Sequence, residues 1–205
     1  MIWVKCPRTS RQVEQEAVQI PFLAGEYDLT IDPKNRLIVP SEIRKMIDSE
    51  MYSDAFGTGF LVNMRDKVPW FYPERYYAQL MNSQVPPGVT PSKDLIKYLQ
   101  IKVAMSYPVK WDSQGRMVLP DRLLREAGLQ IKDDQPREVT LVGMQDHLQL
   151  YSRPVWLEMR AELAAEGDAI EARAAEAILE AARNRRELEG YGPNDRTDNR
   201  GDGRK

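Results

Sequence analysis

The chain has 205 residues, 42% of them hydrophobic and 29% charged, which suits one or two globular domains and excludes wholesale disorder. Its formal charge is −2, so bulk charge does not mark it as a nucleic-acid binder: residues 1–155 carry 20 Lys and Arg against 19 Asp and Glu, and residues 156–205 carry 9 against 12. One cysteine, Cys6, and one histidine, His147, exclude an internal disulfide and a zinc site of the Cys/His type, and no apolar run is long enough to span a membrane.

In chain order, residues 1–21 read as an N-terminal extension. They hold neither the apolar core nor the small-residue cleavage site of a secretory signal, so the expected location is the cytoplasm. Residues 27–31 alternate as a half-buried strand should, Asp32-Pro-Lys-Asn35 reads as a turn, and 37–39 resumes a strand. Pro40 then opens a short helix over 41–48, with Ile43, Met46 and Ile47 on one face. A hairpin follows, 60–64 with 68–72, and Pro73 begins a helix.

The same order then returns. Asp32-Pro-Lys-Asn-Arg36-Leu-Ile-Val-Pro40 is answered by Asp112-Ser-Gln-Gly-Arg116-Met-Val-Leu-Pro120. Leu61-Val-Asn-Met64 is answered at the same offset by Leu141-Val-Gly-Met144. Between the copies, 85–91 is a linker rich in Pro, and Ser92 starts a helix to about residue 103 with Leu95, Ile96, Leu99 and Val103 on one side. The second copy predicts a helix over 121–127 stopped by Gly128, a hairpin of 139–143 with 148–151, and a helix from Pro154. That last helix, rich in Ala, Glu and Arg, extends to about residue 188, with a break or frayed point at Gly167. Residues 190–205 are nearly devoid of apolar side chains and are expected to be disordered. One copy alone is too small to bury a core. The two must therefore pack together or exchange strands.

The paired motif Asp-x-x-(Gly/Asn)-Arg, followed by three apolar residues and Pro, resembles the MraZ family of the AbrB/SpoVT/MazE swapped-hairpin superfamily. Gly25-Glu-Tyr27, Ile43-Arg44, Leu119-Pro-Asp-Arg-Leu-Leu-Arg-Glu-Ala-Gly-Leu129 and Val139-Thr-Leu-Val-Gly143 add to the likeness, which covers about residues 22–160. It implies an α+β fold of two tandem swapped-hairpin modules at 22–85 and 104–157. A linker and helix would occupy 86–103, a C-terminal helix 158–189 and a disordered tail 190–205. It also implies a cytoplasmic, nucleoid-associated DNA-binding transcription regulator. Such a protein binds direct repeats upstream of its own division and cell-wall gene cluster, usually represses it, and assembles into closed rings. Arg36 occupies the position the family uses for DNA contact; Asn35 stands where the family usually has Gly.

The residues themselves add detail. Arg36 can read guanine bidentately, Lys34 suits phosphate, and Asn35 and Arg116 complete the expected DNA-binding set. Asp32 and Asp112 are expected to orient their loops, and an Arg four residues after such an Asp can equally pair with it to pin the turn. The first loop, with Lys34, is the more basic by composition, so Arg36 is expected to matter more than Arg116. His147 falls in a hairpin turn and reads as a solvated residue; Asp133 and Asp134 read as a solvated turn. Trp70, Phe71, Tyr72, Tyr76 and Tyr77 read as a core or subunit contact, with base stacking the alternative. Neither a catalytic constellation nor a metal or cofactor motif stands out, so an enzyme is not expected. The competing reading is a ring-forming scaffold that acts through its C-terminal helix without binding DNA.

Overall fold

The structure, a computed structural model, describes residues 22–48, 59–85, 91–130 and 135–190. The chain divides into two compact units, residues 1–156 and residues 157–205. The first unit holds β1 (Glu26–Ile31), β2 (Arg36–Ile38), α1 (Ser41–Asp48), β3 (Gly59–Arg65), β4 (Val68–Pro73) and α2 (Glu74–Gln84) from the first copy. After α3 (Lys93–Leu99) the second copy supplies β5 (Tyr107–Lys110), β6 (Arg116–Val118), α4 (Asp121–Glu126), β7 (Arg137–Gly143) and β8 (Leu148–Ser152). The last helix, α5 (Arg153–Gly190), starts in this unit, where its first residue pairs through Nη2 with Asp28 Oδ2 at 2.9 Å.

The copies exchange strands. One six-stranded antiparallel sheet runs β1-β7-β8-β4-β3-β5, and β2 pairs with β6 in a separate two-stranded ribbon. The first strand of each copy therefore pairs with the hairpin of the other: β1 lies on β7 from Glu26↔Val142 to Ile31↔Arg137, and β5 lies on β3 from Gly59↔Lys110 to Val62↔Tyr107. The two hairpins meet at the centre through Trp70↔Gln149 and Phe71↔Leu148. Of the two routes to a shared core, exchange is the one taken. The entry of β1 needs a close approach at Gly143, where a Cβ would lie 2.6 Å from the Ala24 backbone.

The core beneath the ribbon is built from equivalent positions of the two copies: Leu37 and Met117, Val39 and Leu119, Ile43 and Leu123, none more than 1% exposed. Each such side chain contributes about 1.5–3 kcal/mol by leaving water. Phe60 and Phe71 meet edge to face under the sheet, with ring centres 5.7 Å apart.

Four expectations change in detail. The second strand spans Arg36–Ile38, one residue earlier than the apolar run suggests, because its ladder pairs Arg36 with Val118. The inter-copy helix is capped by the Ser92 hydroxyl, which accepts from Leu95 N at 3.2 Å. It turns π-helical over Gln100–Ala104, however, and none of its side chains is buried. Gly167 does not break α5: neighbouring Ala, Glu and Arg offset the roughly 1 kcal/mol that one glycine costs a helix. His147 is not solvated. It is only 6% exposed, stacks on Trp70 at 4.1 Å, and bonds Asp146 Oδ1 through Nδ1 at 2.6 Å and Gln149 through Nε2 at 3.1 Å. Burial holds its pKa below the ordinary imidazole value, with Asp146 opposing. The strand pairing β4–β8 brings Trp70 over this turn, and no local sequence rule reports that.

Candidate nucleic-acid interface

The Asp-x-x-x-Arg loops have the same construction. In the first, Asn35 N donates to Asp32 O at 2.9 Å, closing a turn with Pro33 at its second position, and Asp32 N donates to Arg36 O at 3.0 Å. In the second, Gly115 N donates to Asp112 O at 2.8 Å and Asp112 N to Arg116 O at 3.0 Å. Asp32 Oδ1 accepts from the backbone N–H of Lys34 at 2.9 Å and of Arg36 at 2.8 Å, and Asp112 Oδ1 does the same for Gln114 and Arg116, both at 2.9 Å. Residue 35 has φ 58° and residue 115 φ 81°, the left-handed backbone that Asn tolerates and Gly adopts freely.

Each Asp then braces its Arg. Arg36 Nε and Nη2 both reach Asp32 Oδ2 at 2.6 Å, and Arg116 Nε and Nη2 both reach Asp112 Oδ2 at 2.8 Å. The hydrogen bond from the Arg36 side chain, followed by the backbone donors, holds the Asp32 carboxyl below its usual range. For Asp112 the Arg116 backbone N–H leads and the guanidinium follows. Both carboxylates are thus charged at neutral pH, and the remaining guanidinium N–H groups of each Arg are left to meet a ligand.

The ribbon sets these arginines on one face. Register Arg36↔Val118, Leu37↔Met117, Ile38↔Arg116 puts Leu37 and Met117 inside and the other four outside. The guanidinium-bearing side chains of Arg36 and Arg116 are 40% and 46% exposed, and Ile38 and Val118 are 59% and 60% exposed. Lys34 lies exposed on the first turn. Sequence reasoning missed Ile38 and Val118, although the period of two along each strand already put each on the face of its arginine. A two-stranded ribbon with cations on its outer face is one of the two secondary structures that fit the DNA major groove.

What surrounds the two loops differs. The Asn35 side-chain amide donates to the Asp121 carboxylate at the start of α4, so the first loop is docked on the second copy through an acid. Gly115 is buried under Arg44 of α1: a Cβ there would sit 2.8 Å from Arg44 Nε, which itself donates to Val39 O at 3.2 Å. Arg44 is therefore a cation beside the second loop that composition of the loop does not reveal. Val39 N to Gly115 O and Leu119 N to Asn35 O, both 2.8 Å, tie the loops across the ribbon.

The other candidate residues stand apart from this face. Asp133 and Asp134 lie outside the described residues, as do Cys6 and residues 191–205. The aromatic residues sit on β4 and α2 instead: Phe71 of the strand and Tyr76 and Tyr77 of the helix are buried. Trp70 stacks on His147 at 4.1 Å and has the Arg65 guanidinium 4.4 Å from its ring centre, so its ring already packs against both side chains. Among the described residues no three His, Cys, Asp or Glu side chains could jointly hold a metal, and no described helix is long and apolar enough to cross a membrane.

Comparison with known proteins agrees with this architecture. Residues 104–178 match the family model for MraZ, described as an antitoxin-like MraZ protein. A transcriptional regulator MraZ of Neisseria meningitidis serogroup C is 32% identical over 140 residues, covering 66% of this chain and 83% of that protein. Proteins of the same name from Mycoplasmopsis pulmonis and Leuconostoc mesenteroides are 29% and 28% identical, over 64% and 71% of this chain and 79% and 92% of their own lengths. With two Asp-braced arginines, exchanged strands and relatives aligned along most of their length, the chain belongs to the MraZ family.

Proposed function

We propose that this protein is a sequence-specific DNA-binding transcriptional regulator, without enzymatic activity, that lays the β2–β6 ribbon in the major groove. The observation that carries the reading is the matched pair of braced arginines on the exposed face of that ribbon. The names of its relatives, transcriptional regulators, point the same way. Arg36 and Arg116 read guanine edges, with Asp32 and Asp112 holding their planes. Lys34 neutralises phosphate on one side and Arg44 on the other; Asn35 sets the first loop against Asp121.

The reading extends to its target and assembly. The protein represses the division and cell-wall gene cluster that includes its own gene, binds direct repeats there as a closed homo-oligomeric ring, and works in the cytoplasm at the nucleoid. A near-neutral chain suits this arrangement. Each subunit supplies only a few cations, and several subunits on successive repeats multiply weak contacts. An electrophoretic shift of DNA from upstream of the protein's own gene tests it. Wild type should bind specifically and Arg36→Ala should not, with circular dichroism and light scattering unchanged. Binding by Arg36→Ala equal to wild type would sink the reading.

A further inference from the structure

We infer that Ile38 and Val118 are specificity residues that read thymine methyl groups next to the guanines read by Arg36 and Arg116. The inference rests on the DNA-binding reading above and extends it to two side chains that reading does not use.

The outer face of the ribbon holds two arginines and two β-branched aliphatics in crossed pairs, Arg36 opposite Val118 and Ile38 opposite Arg116. Folding does not explain the aliphatics. Their strand neighbours Leu37 and Met117 bury completely, whereas Ile38 and Val118 stay 59% and 60% exposed. Any charged or hydroxyl side chain would sit there at less cost in hydration, since these positions face water in the free protein. The charge of the face selects the partner: arginines and Lys34 flank the apolar pair, so the matching surface is anionic with small apolar features between its charges. The major groove of DNA has that character, with phosphates along its walls and the thymine C5-methyl on its floor.

Spacing agrees. Same-face neighbours along a strand lie roughly 7 Å apart, and cross-strand neighbours roughly 5 Å. Base pairs repeat about every 3.4 Å, so an aliphatic sits one or two base pairs from each arginine. The two crossed pairs are equivalent by the internal repeat, so one subunit offers the same Arg-plus-aliphatic reader twice.

The test uses the full-length protein and the DNA upstream of its own gene, prepared with thymine or with uracil, which lacks only the methyl. Wild type should bind the uracil duplex more weakly, by about fourfold for each methyl group that the aliphatics would otherwise cover. Ile38→Ala and Val118→Ala should each weaken binding to thymine DNA and lose part of the discrimination between the two duplexes. The double variant should bind both alike while keeping the salt dependence of wild type. A purely structural role would lower affinity for both duplexes equally and leave the discrimination intact. Equal binding of both duplexes by wild type, or undiminished discrimination by the double variant, overturns the inference. A changed oligomer mass for the double variant would mean that the face joins copies of the chain, and overturns it too. Should wild type bind neither duplex, the DNA-binding reading itself fails, and that outcome is distinct from equal binding of both.

Discussion

The loop carrying Arg36 and the loop carrying Arg116 differ less in their own geometry than in what the fold sets beside them. Turn bonds, brace and left-handed residue correspond bond for bond. Their neighbours do not. The first loop carries Lys34 but meets the Asp121 carboxylate; the second lacks a lysine but lies under Arg44. Counting charges within a loop thus makes the first more basic, and counting the fixed charges around each loop removes that advantage. In a protein built from two copies, the electrostatics of one copy's loop is decided by the helix of the other.

The largest effect that can break the comparison is on DNA. Losing a bidentate base contact costs ~1–3 kcal/mol, so Arg36→Ala should lower specific affinity by about 5- to 150-fold per site. Loop composition alone predicts a smaller loss for Arg116→Ala. With Arg44 and Asp121 in place, the two losses should be of the same order, and titrations of both variants on one operator fragment would show which holds.

Stability gives the next contrast. Gly115→Ala places a side chain at φ 81° and presses it against Arg44, which should destabilise by ~1–2 kcal/mol. Asn35→Gly relaxes the backbone and gives up the bond to Asp121, two effects that largely cancel, so its urea midpoint should stay near wild type. A larger shift for Asn35→Gly than for Gly115→Ala would reverse the reading of which loop is the more constrained.

Charge variants probe the neighbours directly. Arg44→Gln and Lys34→Ala should each flatten the salt dependence of binding by a slope of about 1 while leaving sequence preference intact. Asp121→Asn should tighten binding, because it removes an acid beside the first loop. Weaker binding by Asp121→Asn would mean that its grip on Asn35 matters more than its charge.

The smallest effect is acid titration. Both Asp carboxyls titrate below the unfolded value near 3.8. Each brace therefore contributes its full stability above that value and loses it as the pH falls through the depressed folded-state pKa. The causes differ in rank: Asp32 depends first on the Arg36 side chain, Asp112 first on the Arg116 backbone N–H. Carboxyl carbon NMR should find Asp32 returned toward its ordinary value in Arg36→Ala, while Asp112 stays depressed in Arg116→Ala.

Much of this was legible from residues alone. The internal repeat, the turns at Asp32 and Asp112, the prolines at the strand-to-helix junctions and the Asp-to-Arg brace all follow from short-range rules: turn chemistry, fixed proline φ, and side chains reaching four residues along the chain. Such patterns are determined by backbone geometry that travels with the segment. Strand exchange, the meeting of Arg44 with Gly115 and of Asp121 with Asn35, and the burial of His147 against Trp70 were decided only by the tertiary structure. Each joins residues distant in sequence, through whichever strand pairing buries both apolar faces at once. Local composition is the same for a paired strand and for an exchanged one. The exposed pair Ile38 and Val118 stands between the two cases: alternation placed each on its arginine's face, and packing of Leu37 and Met117 into the core decided that this face looks outward.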